Sequence, residues 1–232
     1  MIPLRDINRH HHPPVMLWLI IAVNVVVFLF QVMLPEVAHE QFVHVFGMVP
    51  RRVSDPEWAL ARGYPAGASL SFFTSMFLHG GLLHLVFNMW TLAVFGDNVE
   101  DRMGPVRFLV FYIVCGLAAG LAHFVSAPAS RIPTVGASGA ISGVLGAYWV
   151  LFPRARVITF IPVFFIPYLV ELPAVVFLGL WIFMQVLSGF VSLGGPSDVG
   201  GVAWWAHIGG FIFGMAAYPL FLSRRRMRAV RW

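Results

Sequence analysis

The sequence predicts an all-α polytopic membrane protein: six transmembrane helices in a bundle, with a long interfacial loop between the first two. Three observations predict it. The 232 residues are 59% hydrophobic and 11% charged, with mean hydropathy +0.82, whereas soluble domains carry about 25% charged residues. Apolar runs near the ~20 residues a membrane helix needs occur at roughly 15–34, 80–98, 106–126, 136–152, 172–192 and 203–222. The basic residues, all of them arginine, collect at one set of run ends.

Taken in order, residues 1–14 are expected to form a cytoplasmic tail, 15–222 the membrane domain, and 223–232 a basic cytoplasmic tail. His10, His11 and His12, before Pro13 and Pro14, read as a solvated tail in preference to a metal site. The first run is too long for a signal-peptide core and lacks a small-residue cleavage site, so it is read as a retained helix. The stretch 35–79 mixes aromatic, apolar and charged residues. It cannot span, and short amphipathic pieces in the outer interface are expected there. In "ITFIPVFFIPYLVELPA", Pro162, Pro167 and Pro173 predict a re-entrant or interfacial lead-in to the fifth run. The Gly-rich loop "SLGGPSDVGGV" (192–202) is expected to be mobile. That loop and the fifth run are the candidate moving gate. The single cysteine, Cys115, excludes a disulfide within the chain.

Arginine sets the expected orientation. Arg5, Arg9, Arg102, Arg107, Arg154, Arg156, Arg224, Arg225, Arg226, Arg228 and Arg231 flank one side, against Arg51, Arg52, Arg62 and Arg131 on the other. An 11-to-4 split places both termini in the cytoplasm. The net charge of +5 then reflects membrane-flanking arginine, not nucleic-acid binding.

Polar residues recur at one depth. Runs two, four and six all travel from outside to inside, and near their outer ends lie His84 with Asn88, then Ser138, then His207. His84 and Asn88 are four apart and share a helix face. Polar groups within a membrane face protein or water, not lipid. Gly139 and Gly143 in run four, and Ala206, Gly210 and Gly214 in run six, form small-residue stripes along which helices can approach closely. Packing along those stripes would bring His207 to Ser138.

A serine hydroxyl needs a base to become a nucleophile, and an imidazole serves near neutral pH. An attacked carbonyl would gain negative charge. The first N–H groups of a helix are free to receive it, and Ser138 and Gly139 occupy that position. His84 and Asn88 can add side-chain donors. Gly136 and Gly139 allow a tight turn and close approach. No Asp or Glu falls in this layer, with Asp198 in the Gly-rich loop and Glu171 at the opposite side. A Ser–His dyad is therefore expected. Ser142, one turn deeper, reads as a packing or back-bonding residue, and His123 as structural or interfacial. His79 remains open between an interfacial and a site role.

These residues resemble the rhomboid intramembrane serine proteases. "GASGAISG" (136–143) is similar to the family's nucleophile motif, "AHIGGFIFG" (206–214) to its base motif, and "HGGLLHLVFN" (79–88) to its oxyanion element. "GDNVEDRMG" (96–104) resembles the turn after its second helix, and "LPAVVFLGLWIFMQVLSG" (172–189) its fifth helix. The likeness runs from about residue 70 to 215, without the Trp-Arg pair the family often carries before its second helix. It implies the basic six-helix bacterial form, with Ser138 and His207 catalytic. His84, Asn88, Ser138 and Gly139 would stabilise the oxyanion, with Gly136, Gly139, Gly210 and Gly214 as motif glycines. It further implies cleavage of transmembrane protein substrates near the outer face of the lipid bilayer, in a bacterial cytoplasmic membrane, without metal or cofactor. The alternative is a catalytically inactive rhomboid-like protein that binds membrane proteins. Such a relative would be expected to lack the serine or the histidine.

Overall fold

The computed structural model describes residues 1–8, 10–163, 166–192 and 202–223, with the side chains of 163–167 excluded. The expected mobility of 192–202 and the basic tail beyond residue 223 fall almost wholly outside the described residues. A short strand, β1 (Ile2–Asp6), precedes helix α1 (Val15–Met33). The long loop after α1 folds into short helices α2 (Glu36–Phe46), α3 (Pro50–Ser54), α4 (Pro56–Ala61) and α5 (Ser71–Thr74), matching the short pieces expected. Then come α6 (Leu82–Met103), α7 (Pro105–Ser126) and α8 (Ser138–Leu151). Strands β2 (Arg156–Val163) and β3 (Ile166–Pro173) follow, and α9 (Ala174–Ser192) and α10 (Trp204–Phe221) complete the fold. The bundle is α1, α6, α7, α8, α9 and α10, the six runs of the sequence to within a few residues.

The six helices divide by composition. α1, α7 and α9 are long and apolar enough to cross a bilayer alone, at hydropathies of 2.6, 2.2 and 2.2, and only about 28–33% of each apolar window is buried within the protein. α6 qualifies only together with the short helices before it, from which it bends by 78°. α8 has 14 residues and is buried continuously from Gly139 to Tyr148, reaching about 21 Å against a hydrocarbon core of about 30 Å. A helix enclosed by protein need be neither long nor apolar toward lipid.

Three features of the arginine-rich end differ in form from what the sequence suggests. The re-entrant or interfacial lead-in expected from Pro162, Pro167 and Pro173 takes the form of paired strands. β2 and β3 pair antiparallel from Arg156↔Pro173 to Val163↔Ile166, and β1 joins β2 with Ile2↔Phe160 and Asp6↔Val157. The Val, Ile and Phe content favours strand, and a strand on a sheet edge tolerates residues that lack an N–H. Two of the three prolines lie on the edge strand β3. Residues 97–103, resembling a turn in sequence, instead prolong α6 to Met103, and Gly104 at φ 82° ends it. Their acidic side chains explain why. Glu100, 1% exposed, accepts the N–H groups of Met16 (3.0 Å) and Leu17 (2.7 Å) at the start of α1, whose own N-cap, Pro14, offers no acceptor. Asp101 accepts the N–H groups of His11 and His12 and pairs with His12 Nδ1 at 2.6 Å, while His10 Nδ1 meets Asp97 at 3.1 Å. The histidine run is thus docked on α6 and not a freely solvated tail.

Asp6 ties β1 to the bundle. Its carboxyl accepts from Tyr148 Oη on α8 and from Asn98 Nδ2 on α6 (2.9 Å). Burial raises this carboxyl from its ordinary 3.8 to about 7, with the Tyr148 bond opposing the rise and Asp97 adding to it. The docked strand therefore holds a proton that a detached strand releases. By linkage, docking is strongest below the ordinary carboxyl value and weakens as pH rises toward 7. Hydrogen exchange at the β1 amides, corrected for intrinsic rate, should show less protection at about pH 8 than at about pH 5. Asp6→Asn should remove the difference, and a pH-independent protection in the wild type would contradict it.

Candidate active site

The site is assembled by α8 and α10, which lie backbone to backbone. A β-carbon on Gly210 would collide with the Gly139 carbonyl, and one on Gly214 with the Gly143 carbonyl. On the opposite side, Ala119 and Cys115 of α7 press against Gly139 and Gly143. The small-residue stripes of runs four and six thus meet. His207, 8% exposed in the first turn of α10, puts Nε2 at 2.8 Å from Ser138 Oγ.

Ser138 is the first residue of α8. Because the helix ladder begins with Ile141 N–H to the Ala137 carbonyl (3.0 Å), the N–H groups of Ser138, Gly139 and Ala140 have no intrahelical acceptor. Just before them, Gly136 adopts φ +132° and donates its N–H to the Ser75 carbonyl at 2.9 Å. A β-carbon there would lie 2.8–2.9 Å from the His84 ring and 3.6 Å from Ser138 Oγ. Glycine keeps that space open as well as allowing the backbone angle.

His84 faces the same space. Gly80 N–H donates to His84 Nδ1 at 3.3 Å, so Nδ1 is the acceptor and a neutral ring carries its proton on Nε2. Nε2 is the atom nearest the gap left by Gly136, after Cε1. Asn88 gives one amide hydrogen to the His84 carbonyl at 2.8 Å, leaving a second N–H. Ser138, His207, His84, Asn88, Gly136 and Gly139 all line one cavity of about 520 Å³. Gly210 and Gly214 lie at the helix contact instead. Among the described residues no carboxylate lines the cavity. The arrangement can move a proton from a hydroxyl to an imidazole in a cavity lined by residues with N–H groups to spare.

The neighbours sort themselves. Ser142 Oγ bonds back to the Ser138 carbonyl at 2.6 Å, and His123 Nε2 meets Thr134 Oγ1 at 2.9 Å, both structural placements. His79 is buried, with its backbone held by the Gln31 side chain at 3.0 and 3.2 Å and its ring 5.2 Å from that of His84. Gln185 on α9 was not foreseen: its Oε1 lies 2.8 Å from His207 Nδ1. It is a polar residue about two turns from the C-terminal end of an apolar run. The rule that selected Ser138 and His207 applies to it equally, but the alternation of outward and inward runs drew attention only to the even ones.

With this geometry in view, a family model for the rhomboid domain matches residues 66–224, more than half of the chain. The chain belongs to the rhomboid family. Rhomboid protein 1, mitochondrial, of Saccharomyces cerevisiae is 29% identical over 177 residues, covering 71% of this chain and 47% of the yeast protein. Rhomboid protease GluP of Bacillus subtilis is 45% identical over 74 residues, 32% of this chain and 14% of that protein. The human presenilin-associated rhomboid-like protein, mitochondrial, is 27% identical over 151 residues, 61% of this chain and 35% of that protein. The chain thus spans less than half the length of each of these relatives. Rhomboid membership and the apolar helices make the protein an integral membrane protein. With relatives from a bacterium and from sources named mitochondrial, membership does not assign it to one membrane.

The close α8–α10 approach can be tested directly. Gly210→Ala should lower stability in detergent by about 1–3 kcal/mol, the usual range for overpacking. Gly179→Ala, at a position with nothing within 4 Å, should leave the denaturation midpoint unchanged or raised. Equal midpoints for the two variants would contradict the contact described.

Proposed function

We propose that this rhomboid is an intramembrane serine endopeptidase that cleaves transmembrane segments of other proteins near the outer face. The observation that carries the reading is the 2.8 Å contact between Ser138 Oγ and His207 Nε2, at the mouth of a helix whose first N–H groups are free. His207 Nε2 removes the hydroxyl proton as Oγ attacks a substrate carbonyl carbon. The oxyanion accepts hydrogen bonds from the Ser138 and Gly139 N–H groups, His84 Nε2–H and Asn88 Nδ2–H. Collapse breaks the C–N bond, and His207 returns the proton to the leaving amine. Water entering the cavity then releases the acyl group by the same steps.

The substrate must present an extended carbonyl. Within a membrane helix every amide is internally bonded, so cleavage favours segments that unwind near the outer boundary at Gly, Pro or Ser. The 11-to-4 arginine split supports a cytoplasmic position for the docked segment 1–14 and for the tail 223–232 on either side of the membrane domain 15–222, which puts the site toward the outer face.

The decisive experiment is covalent labelling by a fluorophosphonate probe in detergent or lipid, alongside cleavage of a membrane-anchored reporter. Wild type and Ser142→Ala should label. Ser138→Ala and His207→Ala should not, with chelator making no difference. Labelling that survives Ser138→Ala would refute the nucleophile assignment. An unlabelled, folded wild type would favour a non-cutting rhomboid-like binder. His84→Ala and Asn88→Ala should each slow reporter cleavage by roughly 10²–10³-fold, as for one oxyanion donor, while some labelling persists. Wild-type cleavage rates in either variant would return that residue to a packing role.

A further inference from the structure

Gln185 is a buried amide on a helix whose other face is apolar and exposed. Val176, Leu180, Phe183, Met184, Leu187 and Phe190 of α9 are exposed, whereas Gln185 is only 8% exposed and turned toward α10. Burying an amide away from water is costly unless both ends are bonded. Both ends are. Nε2 donates to the Trp181 carbonyl one turn back at 3.3 Å, and Oε1 faces His207 Nδ1 at 2.8 Å.

We propose that Gln185 is the positioning residue for His207, extending the Ser138–His207 dyad into a hydrogen-bonded Ser138–His207–Gln185 relay. The inference rests on the reading of Ser138 as nucleophile. The two ends of the amide are not interchangeable. The Trp181 carbonyl can only accept, so it faces the NH₂ end and leaves Oε1 for His207. Oε1 in turn can only accept, so Nδ1 carries the imidazole proton. In the neutral ring Nε2 then holds the lone pair, and Nε2 is the atom 2.8 Å from Ser138 Oγ. The other tautomer would set two lone pairs against each other at the Gln185 contact. Trp181 and Trp204 flank the ring, with centroids at 6.0 and 6.3 Å. They limit its tilt but cannot select a tautomer. The ionisable groups acting on His207 are His84 of α6 and His123 of α7, and neither bonds to Nδ1.

An amide thus does the orienting work of a carboxylate without placing a charge in the membrane interior, where an ionised group is expensive. Since Gln185 belongs to α9 and His207 to α10, the bond also makes the orientation of the base depend on how α9 is docked.

The test uses the full chain in detergent with ¹⁵N-histidine, the His207 signals being assigned by their loss in His207→Ala. Wild type should show the Nδ1–H tautomer, and Gln185→Leu a mixture. Gln185→Leu should slow fluorophosphonate labelling of Ser138 about tenfold, the effect of losing one orienting hydrogen bond, with an unchanged or raised melting temperature. Gln185→Glu keeps the acceptor and adds a charge beside the ring. Its labelling should recover at high pH, with the acid limb of the pH–rate profile shifted upward by about one unit or more. An Nε2–H tautomer in wild type overturns the relay, whatever the labelling. So do wild-type rates and pH profiles in both variants, or a loss in Gln185→Leu that only follows a fallen melting temperature. A wild type with the Nδ1–H tautomer that never labels at Ser138 overturns the nucleophile reading, and the proposed relay with it.

Discussion

The backbone contact between α8 and α10 is the constraint on which the rest depends. Gly139 meets Gly210 and Gly143 meets Gly214, backbone against backbone at both points. Only at that separation can an imidazole from one helix reach a hydroxyl on the other. Glycine in a helix costs about 1 kcal/mol each relative to alanine. In a membrane the alternative, an unwound backbone in lipid, is worse still, so the helices persist. The slot is closed from behind by Cys115 and Ala119 of α7. The buried cysteine therefore reads as a packing residue of the slot and not as a thiol site.

Two polar layers lie at opposite ends of an apolar middle. Phe95, Phe108, Phe111 and Val144 are fully buried in the apolar core. The layer toward the start of α6 and α8 is made of serine, histidine, asparagine and glutamine, with no carboxylate among the described residues lining the cavity. The layer at the arginine-rich end holds the carboxylates Asp6, Asp97, Glu100 and Asp101. The division follows electrostatic cost. Carboxylates are tolerated where they cap a helix start or receive several N–H donors, as Glu100 does for α1. Deep in the bundle an uncharged amide is the cheaper partner for a histidine. The first layer carries the proposed chemistry, and the second anchors the N-terminal segment and the sheet.

The histidine run and the acidic end of α6 show why some features stay hidden in a sequence. His10 and His12 lie more than 80 residues from Asp97 and Asp101 along the chain. Neither side carries a periodic signal that points to the other. The same holds for Tyr148 and Asp6, 142 residues apart. The strands were obscured for a different reason. Prolines usually argue against regular structure, but an edge strand has N–H positions that no partner needs.

The sequence by itself determined six apolar helices, the polar layer of His84, Asn88, Ser138 and His207, and the glycine stripes. Each of these is a local pattern: run length, depth within a run, or four-residue spacing. Membership of the rhomboid family could be read from the same stretches. Only the tertiary structure decided that the stripes of α8 and α10 face each other. It also decided that Gly136 leaves a gap beside His84, that the sheet includes residues 2–6, and that Gln185 meets His207. These depend on the rotation and depth of one helix against another. That geometry is set by the sum of many packing contacts, and no single segment of the chain encodes it.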